Sequence, residues 1–439
     1  MDSLTSIDLQ ERARKVLPGG VTANARTNPA LGRPFYISRG DGPFIYGHDG
    51  RRYIDVCMSN GATLLGHGHP AVVAAVRRAA DLGFACAYDG EVQVSLAERL
   101  VEQIPSFEMV RFTTSGTEAT FYVIRIARAY TGKTLVLKFE GQFHGFNDPL
   151  AFSFWPSPEE GGPADAPIAH PETAGLPPSA PCEIIVAPFN DVDAFRRILA
   201  RHGDELAAVI MEPISYDVGA ILPDREFLDL VRAETTKRGI VLIFDEVLSG
   251  YRTGPDCAQG YLGVTPDLCT LGKAIGGGVP LSVFGGRKEI MSVVSPLGPA
   301  IHTGTYNAHL IPMLAAHAFL DTIAEKDFWP RLLGLHERLF AGLRRAFADA
   351  GLPVRVQGVG ARFGMYFGVD PDVEVTRYRQ AARLDKATMN AFCREMHERG
   401  VYVNPAWHHG ISAMHTEALV DQVVEIAAES ARAVVAQKT

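Results

Sequence analysis

No apolar run in the chain reaches the ~18 residues that a membrane-spanning helix needs, so an integral helical membrane protein is not expected. Basic residues are in the minority: 42 Lys and Arg stand against 50 Asp and Glu, a formal net charge of −8. No basic cluster offsets that balance, so a nucleic-acid binder is not expected. Cysteine is scarce and scattered: six residues, at Cys57, Cys86, Cys182, Cys257, Cys269 and Cys393, with no C-x-x-C pair. That usage suits free thiols in a reducing compartment, and a cytoplasmic location is expected. The opening MDSLTSIDLQERARK mixes charges of both signs and has no apolar h-region, so no signal peptide is expected.

What is present is a long chain of ordinary globular composition, 439 residues with 47% hydrophobic. That is more than one core usually takes, so two domains are expected. The informative stretch runs from Val241 to Gly278, VLIFDEVLSGYRTGPDCAQGYLGVTPDLCTLGKAIGGG. Residues 241–244 are apolar and are followed by Asp245-Glu246, which reads as a buried strand of a parallel sheet. Residues 268–271 end in the same way, at Gly272-Lys273. Open α/β sheets bind ligands beyond the carboxyl ends of their strands. An acid and an amine therefore project from two strand ends.

That pair suits pyridoxal phosphate. The cofactor needs an amine for a Schiff base, here Lys273, and a carboxylate at its ring nitrogen, here Asp245. The plainer alternative is a surface acid pair and an ordinary lysine.

IFDEV before LGKAIGGG resembles the central pattern of the class III aminotransferases, within the fold-type I pyridoxal-phosphate enzymes. The branch it most resembles holds glutamate-1-semialdehyde 2,1-aminomutase and β-amino-acid aminotransferases. The resemblance runs from PGGVTANAR (Pro18 to Arg26) to the C-terminal helix. It implies an α/β fold: a large domain with a mostly parallel sheet and a smaller α+β domain. The expected divisions are 1–65 packing with the small domain, 66–310 as the large cofactor-binding domain and 311–439 as the small domain.

Further residues fall into place along the chain. Ser115 and Glu118 have capping-box spacing at the start of a helix. Free N–H groups there would also hold a phosphate. The resemblance assigns Ser115, Gly116 and Thr117 to the cofactor phosphate. Phe143, in GQFHG, takes the place of the family's ring that stacks on the pyridine; a core aromatic is the alternative. Thr305, in HTGTYNAH, matches the threonine that reaches the phosphate of a partner subunit's cofactor. That match implies a homodimer with shared active sites; a helix N-cap is the alternative.

Arg26 matches the branch's carboxylate-binding arginine, a role that suits a guanidinium fork. Asn60 stands where the aminomutase has an aromatic residue in its substrate pocket. His67 and His69 read as backbone-bonded rather than metal-bound. Glu212 reads as an acid near the cofactor or as half of an ion pair. Residues 151–181, rich in proline and glycine, read as a functional loop or lid in which Trp155 closes over substrate. Residues 402–416 lack both the arginine that many relatives carry there and the aminomutase's glutamate. His408 and His409 stand there instead, lining the pocket or exposed in a loop.

The function expected is transfer of an amino group between an amino acid, β- or otherwise non-α, and a keto acid through Lys273. The rivals are the aminomutase reaction, a racemase or decarboxylase on the same scaffold, and a binding protein that kept the fold.

Overall fold

The computed structural model describes residues 6–84 and 86–438. They divide into two compact units. The large unit comprises residues 70–326 and a short excursion, 375–382. The small unit comprises the chain up to His69, 327–374 and 383 onward. The division near the C-terminal third falls at Lys326/Asp327 rather than at 310/311. The helix Leu310–Ile323 buries most of its surface and packs on Pro70–Leu82 of the large unit.

The large unit is built on a seven-stranded sheet. Its strands are β1 (Met109–Thr113), β2 (Leu135–Phe139), β3 (Ile184–Ala187), β4 (Leu206–Met211), β5 (Val241–Glu246), β6 (Leu268–Leu271) and β7 (Ser282–Gly286). The spatial order is β1-β7-β6-β5-β4-β2-β3. Pairing is parallel from β6 through to β3, and β7 alone runs antiparallel to both its neighbours. Central β4 and β5 are buried at every residue, as an apolar run covered on both faces must be.

β5 extends two residues beyond the apolar run and takes in Asp245 and Glu246. Side chains alternate along a strand, so the two carboxylates point to opposite faces. Helix α1 (Gly116–Thr131) follows β1 and buries Ala119, Val123, Ile124 and Ala127. Burying each of its larger side chains is worth roughly 2 kcal/mol. It ends at Gly132 with φ of 69°, the left-handed cap that glycine adopts without strain.

The small unit opens with the helix Ser6–Arg14, shorter than the 7–17 that periodicity suggests; Lys15 to Leu17 form turns before Pro18. The alternating, glycine-broken stretch after Phe35 forms three antiparallel strands, Ile37–Asp41, Phe44–Gly47 and Arg52–Asp55. Val401–Tyr402 adds a parallel edge. The helices Phe328–Ala350 and Glu417–Lys438 pack together over a core that includes Leu339, Phe347, Phe363 and Phe392. No helix among the described residues is long and apolar enough to cross a membrane.

Candidate active site

At the end of β5, Asp245 is 3% exposed. One carboxylate oxygen accepts from His144 Nδ1 at 2.8 Å. The other accepts from the Thr270 hydroxyl at 2.8 Å and from the Val247 N–H at 3.1 Å. Thr270 is the residue opposite Asp245 in the β5–β6 register, so the sheet itself aims that hydroxyl. Burial holds His144 below the usual histidine range, against the pull of Asp245. The neutral ring then donates through Nδ1.

Glu246 faces away. It accepts from the N–H groups of Ala258 (2.7 Å) and Gln259 (3.2 Å) and from the Gln259 side chain (3.0 Å). It anchors the helix Cys257–Leu262, and burial pushes its carboxyl up to about 7.

Lys273 follows β6 and is half-buried, with φ of 45°. A left-handed lysine costs on the order of 1–3 kcal/mol and persists where its surroundings impose it. It opens the short 3₁₀ turn Lys273–Gly276, after Gly272.

Helix α1 is capped as its sequence requires. The Ser115 hydroxyl accepts from Glu118 N–H, and the Glu118 carboxylate reaches back to the Thr114 N–H at 3.1 Å and to the Thr114 and Ser115 hydroxyls. The N–H groups of Gly116 and Thr117, in the first turn, have no intrahelical partner.

Val247, which sequence reasoning passed over, ties these parts together. A Cβ built on Gly116 would stand 2.9 Å from Val247 Cγ1, and one on Gly272 3.1 Å from the same atom. The start of α1, the end of β5 and the turn before Lys273 therefore meet around one side chain. Gly116 is required by this contact, beyond any approach of a phosphate. Only the two residue types flanking it, Asp-Glu and Gly-rich turns, carried a signal in the sequence.

Phe143 stands in an aromatic cluster. Its ring is parallel to Trp155 (centroids 5.9 Å, 8°) and edge-on to Phe154 and Phe146. Its N–H donates to Glu212 at 3.1 Å. Glu212, 3% exposed, also accepts from the N–H groups of Tyr216 and Asp217. It organises backbone. The second sequence reading, half of an ion pair, does not describe it, and burial raises its carboxyl well above the ordinary range.

The 151–181 segment has little regular structure, as its composition implies, but it is tied down. Phe152 bridges Pro171, and Ser153 N–H bonds His170 O at 2.8 Å. Thr305 is exposed in a turn, and the helix after it is capped by His309, so the N-cap alternative for Thr305 falls.

In the small unit, Arg26 and Asn60 line one cavity of about 470 Å³, with Asp55, Cys57, His67, Tyr402 and Asn404 among its other walls. Arg26 is exposed at the end of the turn Asn24–Arg26. Met58, Ser59 and Asn60 all have φ between 50° and 54°. Asn60 accepts from the Cys57 thiol at 3.2 Å. His67 pairs with Asp55 at 2.8 Å and also makes the expected backbone bonds to Gly42. His408 and His409 are not exposed loop residues. His409 is 1% exposed on a strand beside Phe363, and His408 bonds the buried Arg362.

The large-unit residues fit pyridoxal phosphate: a buried carboxylate with remaining lone-pair capacity, a helix N-terminus that meets the turn at Gly272 around Val247, and an amine on the constrained residue that follows that turn. Residues 25–432 match the family model for class-III aminotransferases. The chain is 38% identical to a glutamate-1-semialdehyde 2,1-aminomutase from Rhodopirellula baltica, over 96% of this chain and 94% of that one. An omega-transaminase from Sphaerobacter thermophilus superposes with a TM-score of 0.92 at 36% identity, covering 99% of this chain and 98% of that one. A β-phenylalanine aminotransferase from Variovorax paradoxus gives 0.85 at 29%, covering 97% and 93%. With a fold and a family match that span the chain, this protein belongs to the class-III aminotransferases, pyridoxal-phosphate-dependent enzymes of fold-type I.

Proposed function

We propose that the enzyme transfers the amino group of a β-amino or other non-α-amino acid to a keto acid, with Lys273 and Asp245 as its catalytic residues. Pyridoxal phosphate supplies the electron sink when bound. Lys273 carries the cofactor at rest. Freed by the incoming amine, its Nζ would shuttle a proton between the substrate carbon and the cofactor carbon.

Asp245, held in place by His144 and Thr270, would keep the ring nitrogen protonated. Ser115, Gly116 and Thr117 would hold the phosphate at the start of α1, and Phe143 would pack on the ring. Thr305 from a second copy completes the phosphate site, which makes the working unit a homodimer, and the free cysteines suit the cytoplasm.

Arg26 holds the substrate carboxylate, and Asn60 leaves room for a side chain. The observation that carries the catalytic part is the meeting of three motifs at Val247. The substrate reading is supported by Arg26 and Asn60 sharing a cavity and by the absence of arginine from 402–416. The names of the omega-transaminase and β-phenylalanine aminotransferase structures agree with it. The experiment is a donor panel of α-, β- and ω-amino acids and plain amines, with keto acid as acceptor. Preference for β-amino acids is expected; exclusive use of α-amino acids would overturn the reading.

A second reading is favoured by the names of curated relatives: the aminomutase reaction. Isomerisation of glutamate-1-semialdehyde without a keto acid would establish it.

A further inference from the structure

The 151–181 segment is tied to the rest of the large unit at several places, among them Lys138 on Phe152 O and Arg197 on Asp165 O. On the outer side, the 375–382 excursion grips it: the Tyr378 hydroxyl donates to Pro156 O at 2.6 Å, and Arg379 bonds Pro158 O. Arg379 is itself fixed by the Glu140 carboxylate at 2.7 and 2.6 Å. On the other side, the indole N–H of Trp155 donates to an Asp217 carboxylate oxygen at 2.7 Å. Asp217 lies in the turn after β4, where Glu212 fixes its backbone N–H.

Beyond that indole bond, the Trp155 backbone N–H donates to the Glu172 carboxylate at 3.0 Å. Trp155 is 44% exposed, and its ring contacts are Phe143 and Phe154. Burial pushes the Asp217 carboxyl up to about 6.

We propose that Asp217 is a positioning residue for the 151–181 segment. Its carboxylate latches the Trp155 indole and so holds the segment closed beside Phe143. An acceptor oxygen suffices for the latch, and the inference does not depend on the role of Lys273.

The test uses the holoenzyme and three variants. Asp217→Asn keeps an acceptor oxygen and loses the charge. Trp155→Phe keeps a ring on Phe143 and loses the donor. Asp217→Ala loses both. Limited chymotrypsin digestion, with cleavage sites located by mass spectrometry, reads the segment directly. Loss of one hydrogen bond to a charged group should speed cleavage within 151–181 by about tenfold in Trp155→Phe and Asp217→Ala. Asp217→Asn should match the wild type.

Kinetics read the same latch. Trp155→Phe and Asp217→Ala should raise KM more than they lower kcat, with Asp217→Asn near the wild type. Wild-type cleavage rates in both Trp155→Phe and Asp217→Ala would overturn the latch. Lys273→Ala, run alongside, separates the latch from the assignment of Lys273: turnover in that variant removes the assignment and leaves the digestion result standing.

Discussion

His144 Nδ1 lies 2.8 Å from a carboxylate oxygen of Asp245, and both side chains are buried. The two come from separate elements, the GQFHG loop after β2 and the end of β5. His144 is in turn fixed through its backbone, whose carbonyl accepts from the Thr120 hydroxyl of α1 at 2.7 Å. The carboxylate is thus oriented by three neighbours before any ligand arrives.

Replacing that anion tests its role. Asp245→Asn should retain the fold and the cofactor but lose on the order of 10²–10³ in kcat, the usual loss when one preorganised electrostatic partner is removed. Steady-state kinetics with the visible absorbance of the bound cofactor check both halves. Equal kcat in the two proteins would remove Asp245 from the chemistry.

Arg26→Ala separates carboxylate binding from the rest. Losing a charged contact to a carboxylate costs about 2–4 kcal/mol, or some 30- to 1000-fold in kcat/KM. The loss should fall on amino acids and spare plain amines. A uniform loss across the donor panel would point to damage elsewhere.

Arg379→Met should destabilise the large unit by about 3 kcal/mol, because it strands the Glu140 carboxylate in a buried position. Glu140 is 3% exposed and Arg379 is its bidentate partner. The urea midpoint of the variant measures this. An unchanged midpoint would mean that water reaches Glu140.

Acid should weaken the small unit. Burial holds His397 and His415 down to about 4 and His409 to about 3. Each is neutral in the folded chain at pH values where the unfolded chain binds a proton. Their contribution is complete above the unfolded pKa, near 6.5. It is lost as pH falls from there toward the folded values. His409 and His415, both buried, each add at most about 1.4 kcal/mol per pH unit within that window, and the partly exposed His397 adds less. His409→Gln should flatten the urea midpoint against pH by one such increment between pH 6 and 4. A slope equal to that of the wild type would show that His409 does not titrate on unfolding.

The legibility of this chain follows from chemistry. Asp245, Lys273 and the Ser115–Glu118 box were readable because each pairs an unusual residue type with a strand end or a helix start. Val247 was not, because an apolar residue after a strand looks like any other core residue, and its role comes from touching two glycines distant in sequence. Asp217 was invisible for a similar reason: its partner Trp155 is 62 positions away in the sequence. The division at 310/311 was misplaced because the helix Leu310–Ile323 is apolar nearly all round, with no stripe to say which core it serves. His409 was left open between a pocket wall and an exposed loop because a two-residue strand leaves no periodicity.

The most direct measurement is where the cofactor is attached. Borohydride reduction of the holoenzyme, followed by proteolysis and peptide mass mapping, should place the cofactor's mass on the peptide that contains Lys273 and on no other. A label on Lys138, the lysine fully buried in the same unit, or no label at all, would contradict the assignment of the active site.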